Sequence, residues 1–129
     1  MKKPNGTSGH SFKKQIQSFG HAFKGMAYVI RTQRNMRIHL VAAVAVVVAA
    51  FWFSISSLEW LAIILCIGLV LAAESFNTAI ELLVDKISPD YDKQAGRIKD
   101  IAAAAVLFCA IASLLIAALI FIPKIISIF

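Results

Sequence analysis

The chain has 129 residues, 60% of them hydrophobic with a mean hydropathy of +0.80, which exceeds a soluble domain, where roughly half of the residues are apolar. Its formal charge of +6 sets 13 Lys and Arg against 7 Asp and Glu, a basic excess that borders apolar segments and so points to a membrane surface, with no nucleic-acid partner expected. That length holds one small domain, and the two cysteines, Cys66 and Cys109, lie within apolar runs with neither a disulfide framework nor a zinc-ligand spacing.

In chain order, residues 1–11 are rich in Gly, Ser, Asn and Lys and read as a disordered tail. Residues 12–30 place Phe12, Ile16, Phe19, Phe23 and Met26 at steps of three or four, with Lys13, Lys14 and Lys24 between them. That periodicity predicts a basic amphipathic helix lying on the membrane surface. The lead is too long and too polar for a secretory signal peptide, so no cleavage is expected. A first span is expected at 35–55, followed by a short turn at 54–59. The second span runs over 60–84 with Trp60 as an interfacial anchor, and the third over 101–122, stopping at Pro123. The expected fold is therefore an all-α integral membrane protein, with one domain over 12–129 made of a surface helix and three transmembrane helices.

The cations orient these spans. Eight of them precede residue 40, the 54–59 turn has none, the 85–100 loop has four, and the tail after the third span has Lys124 alone. By the positive-inside rule the amino terminus and the 85–100 loop are cytoplasmic, and the short turn and the carboxyl end are outside.

Within the second span the charges are two carboxylates, Glu74 and Glu81. At about 100° per residue, Glu74, Asn77, Thr78, Glu81 and Asp85 share one helix face. An ionised carboxylate in hydrocarbon costs at least a few kcal/mol, so this face must look into a bundle interior or a wet cavity, and a functional site is the default reading. Structural carboxylates bonded to neighbouring helices would explain one acid better than two acids and an amide in register. At about 1.5 Å per residue from Trp60, Glu74 lies about 21 Å down and Glu81 about 31 Å down a core about 30 Å thick. Glu74 thus comes within reach of a lipid headgroup, while Glu81 faces the cytosol.

The 85–100 loop supplies complementary groups in Asp90, Tyr91, Asp92, Gly96, Arg97, Lys99 and Asp100. Lys and Arg bind phosphates, and Glu81 with Asp100 are hard oxygen donors suited to Mg²⁺, which binds through one or two carboxylates plus substrate phosphates. Nucleotide and metal at this interface, beside a carboxylate able to take a proton from a lipid hydroxyl, describe phosphoryl transfer. Ordinary solvated ion pairs are the alternative for each single charge. No Walker loop or kinase glycine-rich loop is present, so a nucleotide site here is of unrelated design. Two other classes stay open on these residues alone: a small ion-coupled transporter subunit, because intramembrane carboxylates also mark ion pathways, and a non-catalytic adaptor held by its basic amino terminus.

The run AESFNTAIELLVDKI at 73–87, followed by DYDKQAGRIKDIAAAAVLF at 90–108, resembles the prokaryotic diacylglycerol kinases, small integral membrane lipid kinases. GHAFKG at 20–25 and RNMRIHL at 34–40 resemble the front end of the same family. The latter segment and the FIPK near the carboxyl end look most like the Gram-positive branch, whose members phosphorylate undecaprenol, often in preference to diacylglycerol. The resemblance implies an ATP-dependent, Mg²⁺-requiring homotrimer in the bacterial inner membrane, with sites shared between neighbouring chains. It implies that Glu74 is the general base for the lipid hydroxyl, with Asn77 beside it, and that Glu81 holds the metal against the nucleotide phosphates. Lys99, Asp100 and the Asp90, Tyr91, Asp92 run match nucleotide contacts, as do Lys14 and His21 at the amino terminus.

Position 33 departs from the pattern. The family has Glu before this Arg-Asn pair, joining the carboxylate at Glu81 in holding the metal, whereas here it is Gln33. The amide keeps a carbonyl oxygen but loses the charge, so Mg²⁺ is expected to bind more weakly. Either the chain tolerates that loss or its activity is impaired by it.

Overall fold

A computed structural model describes residues 8–129, and within them the chain is four helices with no strand: α1 (Ser8–Thr32), α2 (Arg34–Trp52), α3 (Ser57–Ile87) and α4 (Lys93–Ile126). The last three are long and apolar enough to cross a membrane. A multi-pass membrane protein with a leading amphipathic helix is thus what the sequence builds.

The tail expected over 1–11 is shortened by α1, which begins at Ser8, and residues 1–7 lie outside the described part. On α1 the apolar stripe of Phe12, Ile16, Phe19, Phe23 and Met26 is exposed in the single chain, as suits a face that lies against headgroups and acyl chains. The helix stops at Thr32 because Gln33 is extended, with φ −101° and ψ 116°. The Arg37 guanidinium then reaches back from α2, donating from Nη1 to the carbonyls of Arg31 at 2.8 Å and Ile30 at 3.1 Å. Both are end-of-helix carbonyls that have lost their intrahelical partners, so one side chain satisfies the corner.

Turns at the other end are tighter than expected. The turn between the first two spans occupies 53–56 instead of 54–59, because Ser56 and Glu59 form a reciprocal cap: Glu59 N–H donates to Ser56 Oγ at 3.2 Å and Ser56 N–H to a Glu59 carboxylate oxygen at 2.8 Å. That pair satisfies two orphan donors, so α3 starts at Ser57, ahead of Trp60. Ser54 makes the reversal with φ at +49°, the left-handed region. Ala50, Ile55, Ile63 and Ile120 form the buried cluster at this end, with Phe53, Trp60 and Phe121 packed around it. Lys124 on α4 closes it by pairing with Glu59 at 3.2 Å.

The expected 85–100 loop is largely helical. Only 88–92 separates α3 from α4, since Asp92 caps α4 by accepting from Ala95 N–H at 2.9 Å and the helix then runs unbroken through Gly96, Arg97, Lys99 and Asp100. A helix that crosses a bilayer need not end where its apolar run ends, and good helix formers carry it on into water. At the far end α4 passes through Pro123, expected to stop it, to Ile126. A proline this close to a helix end removes one amide bond while keeping a helical φ.

Helices α3 and α4 pack along one another, α2 lies against α3, and α1 touches α2 and α3. Most apolar side chains of the spans, including Val41, Val48, Leu65, Leu69, Leu107 and Leu114, face outward. A helix that is apolar on nearly every side belongs in lipid or against other helices.

Candidate functional site

Glu74, Asn77 and Thr78 are the buried polar residues among those described, with Glu74 only 1% exposed. They fall on one face of α3 by the helical repeat, as the spacing requires. Thr78 donates from Oγ1 to the Glu74 carbonyl at 2.9 Å, which ties its hydroxyl to the backbone and leaves the Glu74 side chain free. Asn77 donates from Nδ2 to Glu81 Oε1 at 3.2 Å, one turn on. Glu81 is half-buried and Asp85 exposed, so the face grades from closed to open along α3. Asp85 continues it by pairing with Lys99 of α4.

Two buried atoms on this face, Glu74 Oε2 and Asn77 Oδ1, have no hydrogen-bond partner. Buried polar atoms are nearly always paired, because leaving one unpaired costs about 1–3 kcal/mol. Two such acceptors on one helix face call for donors, either from a molecule that enters or from a neighbouring side chain that moves. The residues that carry them line a cavity of about 310 Å³ between α2, α3 and α4, whose polar lining is Asn35, His39, Glu74 and Asn77. A second, apolar cavity of about 210 Å³ adjoins it, sharing His39 and Ala110 and lined by Ala43, Val46, Cys66, Val70 and Ser113. A polar pocket opening into an apolar groove suits a molecule with a small polar head and a hydrocarbon chain.

Of the residues singled out from the sequence, Glu74 and Asn77 line the cavity and Glu81 joins them through Asn77. Gln33 stands at the α1–α2 corner with Nε2 donating to Thr32 Oγ1 at 3.4 Å. Lys99 and Asp100 ride on the first turns of α4, not on a loop. Asp90 and Tyr91 are exposed in the connector, and Asp92 spends one carboxylate oxygen on the α4 cap. Lys14 and His21 are exposed on α1. None of these outer residues lines the cavity.

Sequence reasoning missed His39 and Asn35. His39 Nε2 lies 3.8 Å from Glu74 Oε2, and Asn35 is one turn earlier on the same face of α2. The signal was present: His39 is an ionisable residue inside an apolar helix, the criterion that singled out Glu74.

No group of three or more His, Cys, Asp or Glu among the described residues forms a metal cage. The donor set does fit an ion carried in on nucleotide phosphates, which needs only one or two protein carboxylates. Glu81 offers one, since Asn77 occupies Oε1 and leaves Oε2. Gln33 offers an uncharged amide oxygen.

Known proteins share this plan. The family model described as prokaryotic diacylglycerol kinase matches residues 20–121. An undecaprenol kinase of Bacillus subtilis is 42% identical over 109 residues, covering 84% of this chain and 89% of that one. A diacylglycerol kinase of Synechocystis is 37% identical over 113 residues, covering 87% of this chain and 65% of the relative, and one of Escherichia coli is 32% identical over 111 residues, covering 86% and 89%. With the family model spanning most of its length, and with the Bacillus and Escherichia lipid kinases each matched over 89% of their chains, this chain belongs to the prokaryotic diacylglycerol kinase family and is a membrane lipid kinase.

Proposed function

We propose that the chain transfers the terminal phosphoryl group of ATP to the hydroxyl of undecaprenol, giving undecaprenyl phosphate and ADP. The observation that carries this reading is the buried Glu74 carboxylate on a polar cavity that opens into an apolar groove. The choice of lipid is supported by the 42% identity to the Bacillus undecaprenol kinase, against 32% to the Escherichia diacylglycerol kinase. Diacylglycerol, giving phosphatidic acid, is the second reading.

In this mechanism the lipid hydroxyl enters the cavity with its chain in the groove. Asn77 Oδ1, which has no other hydrogen-bond partner, and one oxygen of the Glu74 carboxylate are its acceptors. As the hydroxyl oxygen bonds to phosphorus, Glu74 takes its proton and the bond to the ADP oxygen breaks with its electron pair leaving on ADP. Burial keeps the Glu74 side chain apart from bulk water. Lys99, Asp100 and Asp90 to Asp92 bind the nucleotide from α4 and its connector, and Lys14 and His21 close over it from α1. Glu81 and Gln33 would hold Mg²⁺, which would neutralise phosphate charge when bound. The domain is 12–129, in the bacterial inner membrane with its amino terminus and the 88–92 connector cytoplasmic. The chain assembles as a homotrimer in which neighbouring chains complete the nucleotide side.

The test is a phosphotransfer assay with ATP and the two lipids in one detergent, comparing kcat/KM. A higher value for undecaprenol is expected. A clear preference for diacylglycerol reverses the choice of substrate, and transfer to neither overturns the reading.

A further inference from the structure

His39 meets the buried end of Glu74. Its Nε2 lies 3.8 Å from Glu74 Oε2, an atom that is buried and has no hydrogen-bond partner. It is the one basic side chain paired with Glu74 among the described residues, and the nearby Arg37 guanidinium is occupied by the carbonyls of α1. The two side chains differ in access, with 22% of the His39 side chain exposed against 2% for Glu74. His39 also lines both cavities, so it stands where the polar pocket meets the apolar groove. An imidazole at the side of a buried carboxylate and at the mouth of the lipid groove has a larger task than filling space.

We infer that His39 is a positioning residue for the reaction: its Nε2–H closes on Glu74 Oε2 and holds the carboxylate so that the second oxygen faces the acceptor hydroxyl. The present separation exceeds a hydrogen bond by under about 1 Å, a distance that a small side-chain rotation removes. A neutral imidazole donates from one ring nitrogen and accepts at the other, so Nε2–H on the carboxylate leaves Nδ1 as an acceptor. Fixing a carboxylate to a tolerance of about 1 Å is worth on the order of a hundredfold in rate at a reacting centre. This inference rests on Glu74 being the base.

The experiment uses the full chain in detergent with ATP and undecaprenol, comparing wild type, His39→Ala, His39→Gln, Glu74→Gln and the double variant Glu74→Gln/His39→Ala. His39→Ala lowers kcat by about tenfold or more, with KM for ATP within about twofold of wild type, because the loss acts on the chemical step. His39→Gln, whose amide N–H also reaches a carboxylate, recovers most of that loss, which a packing role would not produce. Adding His39→Ala to Glu74→Gln costs no further rate, because the two groups act as a unit. Wild-type kcat in His39→Ala, equal impairment of the Ala and Gln variants, or additive losses in the double variant each overturn the inference. A slow Glu74→Gln beside a normal His39→Ala removes only the role of His39, whereas a normal Glu74→Gln removes the base assignment on which it depends.

Discussion

In the proposed reaction, Glu74 and Gln33 are the residues at which single atoms matter most. The face around Glu74 was legible in the sequence because two acids and an amide in one apolar helix have no inexpensive alternative to facing inward. His39 meets the same criterion but, beside Arg34 and Arg37, reads as part of the basic flank, and it is the packing of α2 on α3 that brings it to Glu74. Gln33 is legible as a departure, and its effect follows from charge. A Mg²⁺ ion beside a low-dielectric boundary gains from a second carboxylate what an amide does not supply. With Gln33 and Glu81 proposed to hold one ion, Gln33→Glu is expected to lower the Mg²⁺ concentration for half-maximal rate and raise turnover, and Glu81→Gln to abolish the gain. Titrating Mg²⁺ against rate in the three variants checks this, and an unchanged curve for Gln33→Glu removes position 33 from the metal site.

Element boundaries were less legible than element identities. The three spans and the surface helix stand in the expected order, yet α4 starts at Lys93 and α3 runs to Ile87, leaving a connector of 88–92 where a loop over 85–100 was expected. Hydropathy marks where lipid ends, whereas hydrogen bonding marks where a helix ends, and here Asp92 moves the second well outside the first. The consequence is mechanical: Lys99 and Asp100 sit on a rigid helix, where a loop would leave them loosely held. Asp92 carries two assignments, cap and nucleotide contact, that substitution separates. Asp92→Ala loses the cap and destabilises the chain by about 1 kcal/mol, whereas Asp92→Asn keeps it. Unfolding in detergent reads the first effect. A raised KM for ATP in Asp92→Asn at unchanged stability reads the charge on the nucleotide, and an unchanged KM limits Asp92 to capping.

At the scale of the whole molecule, one chain buries few of the residues of its three spans, and most of their apolar side chains are exposed. The covered part is concentrated at two places, the cluster around Ile63 near the α2–α3 turn and the face of Glu74. The first holds the helices together, and the second lines the cavity proposed to take the lipid hydroxyl. The account stands on that cavity being the place of phosphoryl transfer. The most direct measurement is the formation of lipid phosphate from ATP and undecaprenol by purified wild type and Glu74→Gln side by side, with nucleotide binding measured on both. Wild type forms the phosphate, and Glu74→Gln forms it about a hundredfold or more slowly while binding nucleotide as before, the usual loss for a positioned base. Equal rates in the two proteins would contradict the assignment of Glu74.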